Sequence, residues 1–114
     1  MRFLLTYVAK ENTPPNAEKS EAIRKLVEDN TKSGVLLDTG GMMPLAARVS
    51  QAKGKFSATD GPFPETKELV VGYAIVQVRD RAEAIEQARR FMAIAGDGEG
   101  EVRQLVGPAD EPHH

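Results

Sequence analysis

The stretch that most restricts how this chain can fold is an apolar run at residues 69–78. It reads Leu-Val-Val-Gly-Tyr-Ala-Ile-Val-Gln-Val, and it lacks the alternation of polar and apolar side chains that marks a strand with one face in water. Residues 2–9 form a second run, in which both alternate sets of side chains are mostly apolar. We therefore predict two strands whose faces must both be covered.

Two segments have the apolar periodicity of helices. The first starts at Asn16, which suits the N-cap position, and carries an i, i+3, i+4 apolar stripe up to about Lys32. The second follows Asp80, an N-cap that pairs with Glu83 in a capping-box pattern, and it stops at Gly96. The buried stripe expected on this second helix consists of Ala84, Ile85, Ala88, Met92 and Ala95.

Shorter segments between these elements predict further strands. Residues 35–39 are rich in strand formers, and Gly40-Gly41 is expected to end that strand. Residues 44–50 and 55–59 flank a polar segment with one glycine, which predicts the two arms of a hairpin.

The end of the chain predicts a flexible turn at residues 96–100 and a last, half-exposed strand at 101–106. The order of elements is then strand, helix, strand, hairpin, strand, helix, strand. This is a split βαβ pattern, so we predict an α+β fold: a ferredoxin-like sandwich of an antiparallel sheet and two helices, with an extra β-hairpin.

Two helices of about four turns can cover only one face of such a sheet. The economical way to cover the second face is a homodimer in which sheet packs against sheet. The alternative is that the hairpin or the C-terminal tail folds back over that face of its own subunit.

The length of 114 residues leaves room for one domain. We assign residues 1–107 to it and expect residues 108–114, which have no apolar periodicity, to form a disordered C-terminal tail. No apolar stretch approaches the roughly 20 residues that span a bilayer, so we expect no membrane partner.

Residue usage excludes several chemistries. The absence of Cys excludes disulfides, thiolate nucleophiles and Cys-ligated metals, and it fits a cytoplasmic location. The net charge of −2 argues against nucleic acid as a partner. His113 and His114 are the only histidines, and no carboxylates cluster at ligand spacing, so we expect neither a metal nor another cofactor.

Residues 54–68 carry the most distinctive motif. They read Gly-Lys-Phe-Ser-Ala-Thr-Asp-Gly-Pro-Phe-Pro-Glu-Thr-Lys-Glu, and they closely resemble the signature of the YCII-related family, in the branch named for the tetrapeptide Asp-Gly-Pro-Phe (the DGPF domain). Shorter matches extend the resemblance over nearly the whole chain, at Phe3–Tyr7, Gly40-Gly41, Arg48-Val49, Gly72-Tyr73 and Glu101–Arg103. The resemblance implies a dimeric α+β barrel of ferredoxin-like subunits, in agreement with the homodimer expected from the strand faces.

The resemblance implies little about a reaction. Most members of the family have no assigned activity, some occur beside or fused to extracytoplasmic-function sigma factors, and one relative acts as a dehydrochlorinase on a chlorinated hydroxyquinol. Other relatives place a His near an Asp in a cleft as a catalytic pair. This chain has His only at positions 113 and 114, so an acid–base role carried over from the family falls to Asp60 alone.

The segment Asp60-Gly61-Pro62-Phe63 has two interpretations. As a turn, the Asp60 carboxylate caps backbone amides, Gly61 adopts a conformation restricted by Pro62, and Phe63 fills an apolar gap. As a site, the same carboxylate faces a ligand as the candidate catalytic group, and its three neighbours contact that ligand.

Five further residues are candidate ligand-binding groups. Glu65 and Lys67 add charge beside the Asp60 loop, although an exposed ion pair between solvated loop residues explains them as well. Arg48 suits bidentate recognition of a carboxylate, either Asp60 or an anionic ligand. Tyr7 and Tyr73 are expected either to line the same cleft or to be core residues with a polar tip.

Two functions therefore remain open from the sequence, which does not settle whether the protein is an enzyme. In the first, a small organic molecule binds in a cleft beside the Asp60–Phe63 loop and undergoes acid–base chemistry of a lyase or isomerase kind. In the second, the protein is a non-catalytic ligand-binding or regulatory interaction module, associated with a sigma factor as the family context suggests.

Overall fold

The computed structural model describes residues 1–10, 16–43, 46–61 and 71–108 of the chain, without the side chain of residue 71. Six strands and two helices lie in these segments. In chain order they are β1 (Arg2–Ala9), α1 (Ala17–Lys32), β2 (Leu36–Met42), β3 (Ala47–Ala52), β4 (Lys55–Asp60), β5 (Val71–Gln77), α2 (Arg81–Ala95) and β6 (Gly98–Leu105).

The main sheet has the strand order β2-β5-β1-β6, and every neighbouring pair is antiparallel. The two apolar runs of the sequence supply the two central strands, β1 and β5. This order, with helices α1 and α2 connecting strands of the same sheet, confirms the predicted ferredoxin-like split βαβ fold. Strands β3 and β4 form a separate two-stranded sheet.

Both helices begin at the residues that the sequence indicates. The Asn16 side chain accepts a hydrogen bond from the Lys19 amide at 3.0 Å, and the Asp80 carboxylate accepts one from the Glu83 amide at 2.9 Å. The Glu83 carboxylate accepts in turn from the Arg79 amide at 3.0 Å, one residue before the cap, which is a variant of the capping box.

The core lies between the sheet and the helices. Alternate residues of β1 point to the helices and are buried, beginning with Phe3 at 1% exposure, and Val76, Val78 and Ala84 complete the cluster. Ile85, expected in the buried stripe of α2, is 45% exposed. That expectation was wrong. Ala84 is the fully buried residue of α2, and the next residue of a helix lies farther around its axis, so Ile85 points toward solvent.

The other side of the sheet, which we call the open face, is covered by no helix among the described residues. Strand register places Leu4, Thr6 and Val8 there, together with Tyr73 and Ile75, and all five are only half-buried. The described hairpin residues do not cover it, because every residue of β3 and β4 is exposed. The C-terminal tail from residue 109 lies outside the described residues.

Glycines do not end the strands where they were expected to. Strand β2 continues through Gly40-Gly41 to Met42, because the Tyr73 ring of β5 lies directly over Gly40, where an added Cβ would be 3.1 Å from the ring. Strand β6 starts at Gly98, inside the segment predicted as a flexible turn. These glycines make room for tyrosine rings rather than for turns.

The hairpin prediction is confirmed, with arms shifted by a few residues. Ala52 pairs with Lys55, which leaves a two-residue loop. Both loop residues have positive φ, 53° at Lys53 and 77° at Gly54, as a type I′ turn requires. In the described part of the chain, neither helix is long and apolar enough to cross a membrane.

Candidate functional site

One end of the main sheet gathers most of the connections between elements. Strand register places Val8 beside both Val71 and Glu99, and Met42 beside Val71. The chain that leaves the hairpin at Gly61 therefore re-enters the sheet at this end, which we call the loop end. Binding residues concentrate on loops that a rigid scaffold positions, so this is where a site is expected.

Tyr7 anchors the turn after α2 to the loop end. Its hydroxyl donates to the backbone carbonyls of Gly96 and Asp97, at 3.0 and 3.1 Å, and its ring packs edge-on against Phe91 with 5.3 Å between centroids. Burial, together with the charge of Asp97, raises the pKa of Tyr7 above its ordinary value. Tyr7 is thus a protonated structural donor at neutral pH.

An open cleft of about 630 Å³ lies beside this anchored turn. Its apolar lining consists of Val8, Ala9 and Met92, and its charged lining of Lys10, Asp97 and Glu99. The Lys10 amide donates to the Asp97 carbonyl at 3.0 Å and so joins the end of β1 to the turn. The cleft therefore offers an apolar wall, one cation and two carboxylates at the loop end.

A polar pair lies on the open face. The Tyr73 hydroxyl donates to Asp38 Oδ2 at 3.1 Å, and Asp38 Oδ1 accepts from the Thr39 amide at 2.9 Å. The Thr39 hydroxyl closes the arrangement by donating to the Tyr73 carbonyl at 2.8 Å. The hydrogen bond to Asp38 raises the pKa of Tyr73, and the nearby carboxylate charge adds to that shift.

Tyr7 and Tyr73 do not line a common cleft. In the register between β1 and β5, Tyr73 pairs with Thr6, whereas Tyr7 pairs with Gly72. Adjacent residues of a strand point to opposite faces, so Tyr7 lies among the helices and Tyr73 on the open face. The interpretation of the two tyrosines as walls of one site is wrong.

The hairpin separates Arg48 from Asp60. Asp60 ends β4 opposite Ala47 and is exposed, while Arg48 lies opposite Thr59. These two cross-strand pairs are adjacent, so the two side chains start from opposite faces of the hairpin. Gly61 extends the ladder by donating its amide to the Ala46 carbonyl at 2.6 Å.

The remaining predicted site residues, Pro62, Phe63, Glu65 and Lys67, lie outside the described residues. Within the described ranges, no group of three or more His, Asp or Glu side chains could hold a metal ion.

Three residues of this arrangement are absent from the sites predicted from the sequence. Lys10 has no predicted role, Glu99 lies in the predicted flexible turn, and Asp38 is predicted only as part of a strand. One signal was available for Asp38, which is an isolated acid in the apolar stretch Val-Leu-Leu-Asp-Thr-Gly-Gly. No local signal marks the cleft, because β1, α2 and β6 come together only in the folded sheet.

Two comparisons with known proteins bear on this arrangement. No curated protein matches the chain. The family model described as the YCII-related domain matches residues 1–107, which include both central strands, the hairpin and the whole loop end. The chain therefore belongs to the YCII-related family.

Proposed function

We propose that this YCII-related protein binds a small, oxygenated organic molecule at the loop end of its sheet. The observation that carries the proposal is the cleft of about 630 Å³ beside Lys10, which falls in the size range of small-molecule sites, about 300–1,000 Å³. In the sequence, the segment Asp60–Phe63 stands between the hairpin and Val71, and Val8, the strand partner of Val71, lines the cleft.

The lining favours a hydroxylated carboxylic acid. The Lys10 ammonium can pair with a carboxylate, while Asp97 and Glu99 can accept hydrogen bonds from hydroxyl groups. Val8, Ala9 and Met92 provide apolar contact for an aromatic or aliphatic body. A molecule with a charged end, hydroxyl donors and an apolar ring matches all three kinds of lining.

Binding without catalysis is better supported than lyase or isomerase chemistry. A general base must be held within hydrogen-bond reach of the proton that it removes. Asp60 lies exposed at the end of β4 and is not among the described residues that line the cleft.

We propose further that the working unit is a homodimer joined through the open face. Leu4, Val8 and Ile75 lie on that face and are only half-buried in the single subunit, which leaves an apolar sheet surface in water. The second candidate, a regulatory module that binds a protein such as a sigma factor, would use the same surface. A dimer that occupies the open face disfavours that candidate.

The ligand proposal is tested by thermal shift with mono- and dihydroxybenzoates. A compound that binds the cleft should raise the melting temperature of the wild-type protein and of Lys25→Gln, a matched exposed lysine of α1. The same compound should have a smaller effect on Lys10→Gln. Equal shifts in Lys10→Gln and wild type, or no shift with any of these compounds, would contradict the proposal.

Asp60→Asn separates binding from catalysis in the same assay. The amide retains the size and the acceptor oxygen of the turn residue but removes the charge. If Asp60 does not touch the ligand, this variant should show the same shift as wild type. If the ligand-induced shift is lost while the melting temperature of the free protein is unchanged, Asp60 takes part in ligand binding.

A further inference from the structure

The hairpin β3–β4 leaves all of its residues exposed in the single subunit. Among the described strands, β3 and β4 are hydrogen-bonded only to each other. An isolated two-stranded hairpin is marginally stable in water, and it needs a further surface to pack against.

Strand register makes the hairpin amphipathic. Val49 pairs with Ala58 and Gln51 with Phe56 on one face, and Ala47 pairs with Asp60 at the end of that face far from the turn. The other face is polar: Lys55 lies there opposite Ala52, and the Ser50 and Ser57 hydroxyls are hydrogen-bonded there at 2.7 Å. On the apolar face Val49 is 63% and Phe56 67% exposed. Exposure of a whole apolar hairpin face indicates a surface that a partner covers.

Charge points to the kind of partner. The tip of the hairpin is basic, with Lys53 in the turn and Lys55 at the start of β4. The open face of the main sheet is acidic along its β6 border, where Glu99 lies beside Val8 and Glu101 beside Thr6. The Glu101 carboxylate lies 3.4 Å from the Arg103 guanidinium, and both side chains are 68% exposed. One chain thus carries both halves of a complementary pair of surfaces.

The area that a stable dimer needs also favours a second copy of the chain as the partner. Specific interfaces bury about 1,200–2,000 Å² of accessible surface in total. Each hairpin laid on the other subunit adds its two-stranded face to the contact between the open faces, so the exchange enlarges the interface.

We propose that each hairpin is an arm that embraces a second copy of the chain. Its apolar face packs on the partner subunit, and Lys53 in the turn lies against the β6 border of that subunit, near the partner's Glu99. This inference rests on the proposed homodimer and adds to it a reciprocal exchange of arms.

Engineered cysteines test the arm directly, because the chain has no Cys of its own. Lys53→Cys and Glu99→Cys are prepared as two single variants, mixed and oxidised. The exchange predicts a covalent dimer in the mixture that exceeds the dimer formed by either variant alone. Lys32→Cys, on the exposed side of α1, mixed with Glu99→Cys is the matched control and should give little dimer.

The double variant Lys53→Cys/Glu99→Cys distinguishes the two directions of packing. An exchanged arm gives a covalent dimer, whereas an arm folded over its own sheet gives an oxidised monomer, and the oxidised monomer would overturn the inference. Reversing the charge in Lys53→Glu should weaken the dimer by about tenfold, and adding Glu99→Lys should restore it.

Light scattering on the wild-type protein separates failure of the arm from failure of the dimer. A dimer by mass that gives no mixed disulfide overturns the arm alone. A monomer by mass overturns both the arm and the homodimer, whereas ligand binding at the cleft is measured separately, by the thermal shift of the wild-type protein and of Lys10→Gln.

Discussion

Tyr73 and Asp38 are joined across neighbouring strands by a hydrogen bond of 3.1 Å from the phenol to the carboxylate, on the open face of the sheet. Gly40 makes the contact possible, since a side chain there would meet the Tyr73 ring. The pair places a polar, directional contact within an apolar surface, where it would help to set the register of a second subunit.

The chain has two Tyr and no Trp, so an ultraviolet titration of tyrosinate reports these two residues alone. Both pKa values are raised above 10.0. A raised pKa means that the folded state favours the protonated phenol, so this contribution to stability is present below pH 10 and is lost as pH rises through the folded pKa values. Asp38→Asn should lower the pKa of Tyr73 and leave that of Tyr7 raised. An unchanged titration curve in this variant would show that the carboxylate does not act on Tyr73.

Lys19 of α1 stabilises the C-terminal end of α2. Its ammonium donates to the Ala95 carbonyl at 3.0 Å, and α2 has no basic residue in its own last turn. Lys19→Met should lower the free energy of unfolding by about 1–2 kcal/mol, because it removes a charged hydrogen bond at a helix C-terminus. Lys25→Met on the same helix is the control and should change it by less than about 0.5 kcal/mol. Equal effects of the two substitutions in urea unfolding would contradict the cap.

Gly98→Ala tests the close packing of Tyr7 on β6. A Cβ at Gly98 would lie 2.5 Å from the Val8 carbonyl oxygen and 2.6 Å from the Tyr7 ring, so backbone and ring must both move. We expect a loss of about 2 kcal/mol or more in urea unfolding, as overpacking of a tight site typically costs 1–3 kcal/mol. Gly72→Ala, whose added Cβ would meet only the Gly40 carbonyl at 3.4 Å, should cost clearly less. A tolerated Gly98→Ala would show that β6 lies farther from β1.

Ile75→Glu tests the homodimer. Ile75 pairs with Leu4 on the open face and is half-buried in the subunit, so a charge there should prevent association of two sheets and leave the helix-facing core intact. Light scattering at micromolar concentration should give a dimer for the wild-type protein and a monomer for the variant, with unchanged helical circular dichroism. A wild-type protein that is monomeric, with a stability that does not depend on its concentration, would contradict the proposed homodimer.

Features with a local cause were predictable from the sequence. Asn16 and Asp80 cap helices through bonds to residues three positions away, and the apolar runs of β1 and β5 identify the central strands. The ferredoxin-like order then follows from the succession of elements.

Features set by strand register were not predictable. A shift of one residue between β1 and β5 exchanges the faces of every side chain, so the separation of Tyr7 from Tyr73 depends on a pairing that no local pattern fixes. The same holds for Gly40 and Gly98, which act through tyrosines on other strands. The sequence alone does not distinguish a glycine that accommodates a distant ring from a glycine that ends a strand.

The cleft is tested most directly by following backbone amide resonances of nitrogen-15-labelled protein during titration with mono- and dihydroxybenzoates. Binding at the loop end predicts saturable shifts at Lys10, Met92, Gly98 and Glu99, and these shifts should weaken in Lys10→Gln. Saturable shifts confined to the hairpin or to the outer face of α1, or no saturable shift with any of these compounds, would contradict the proposed site.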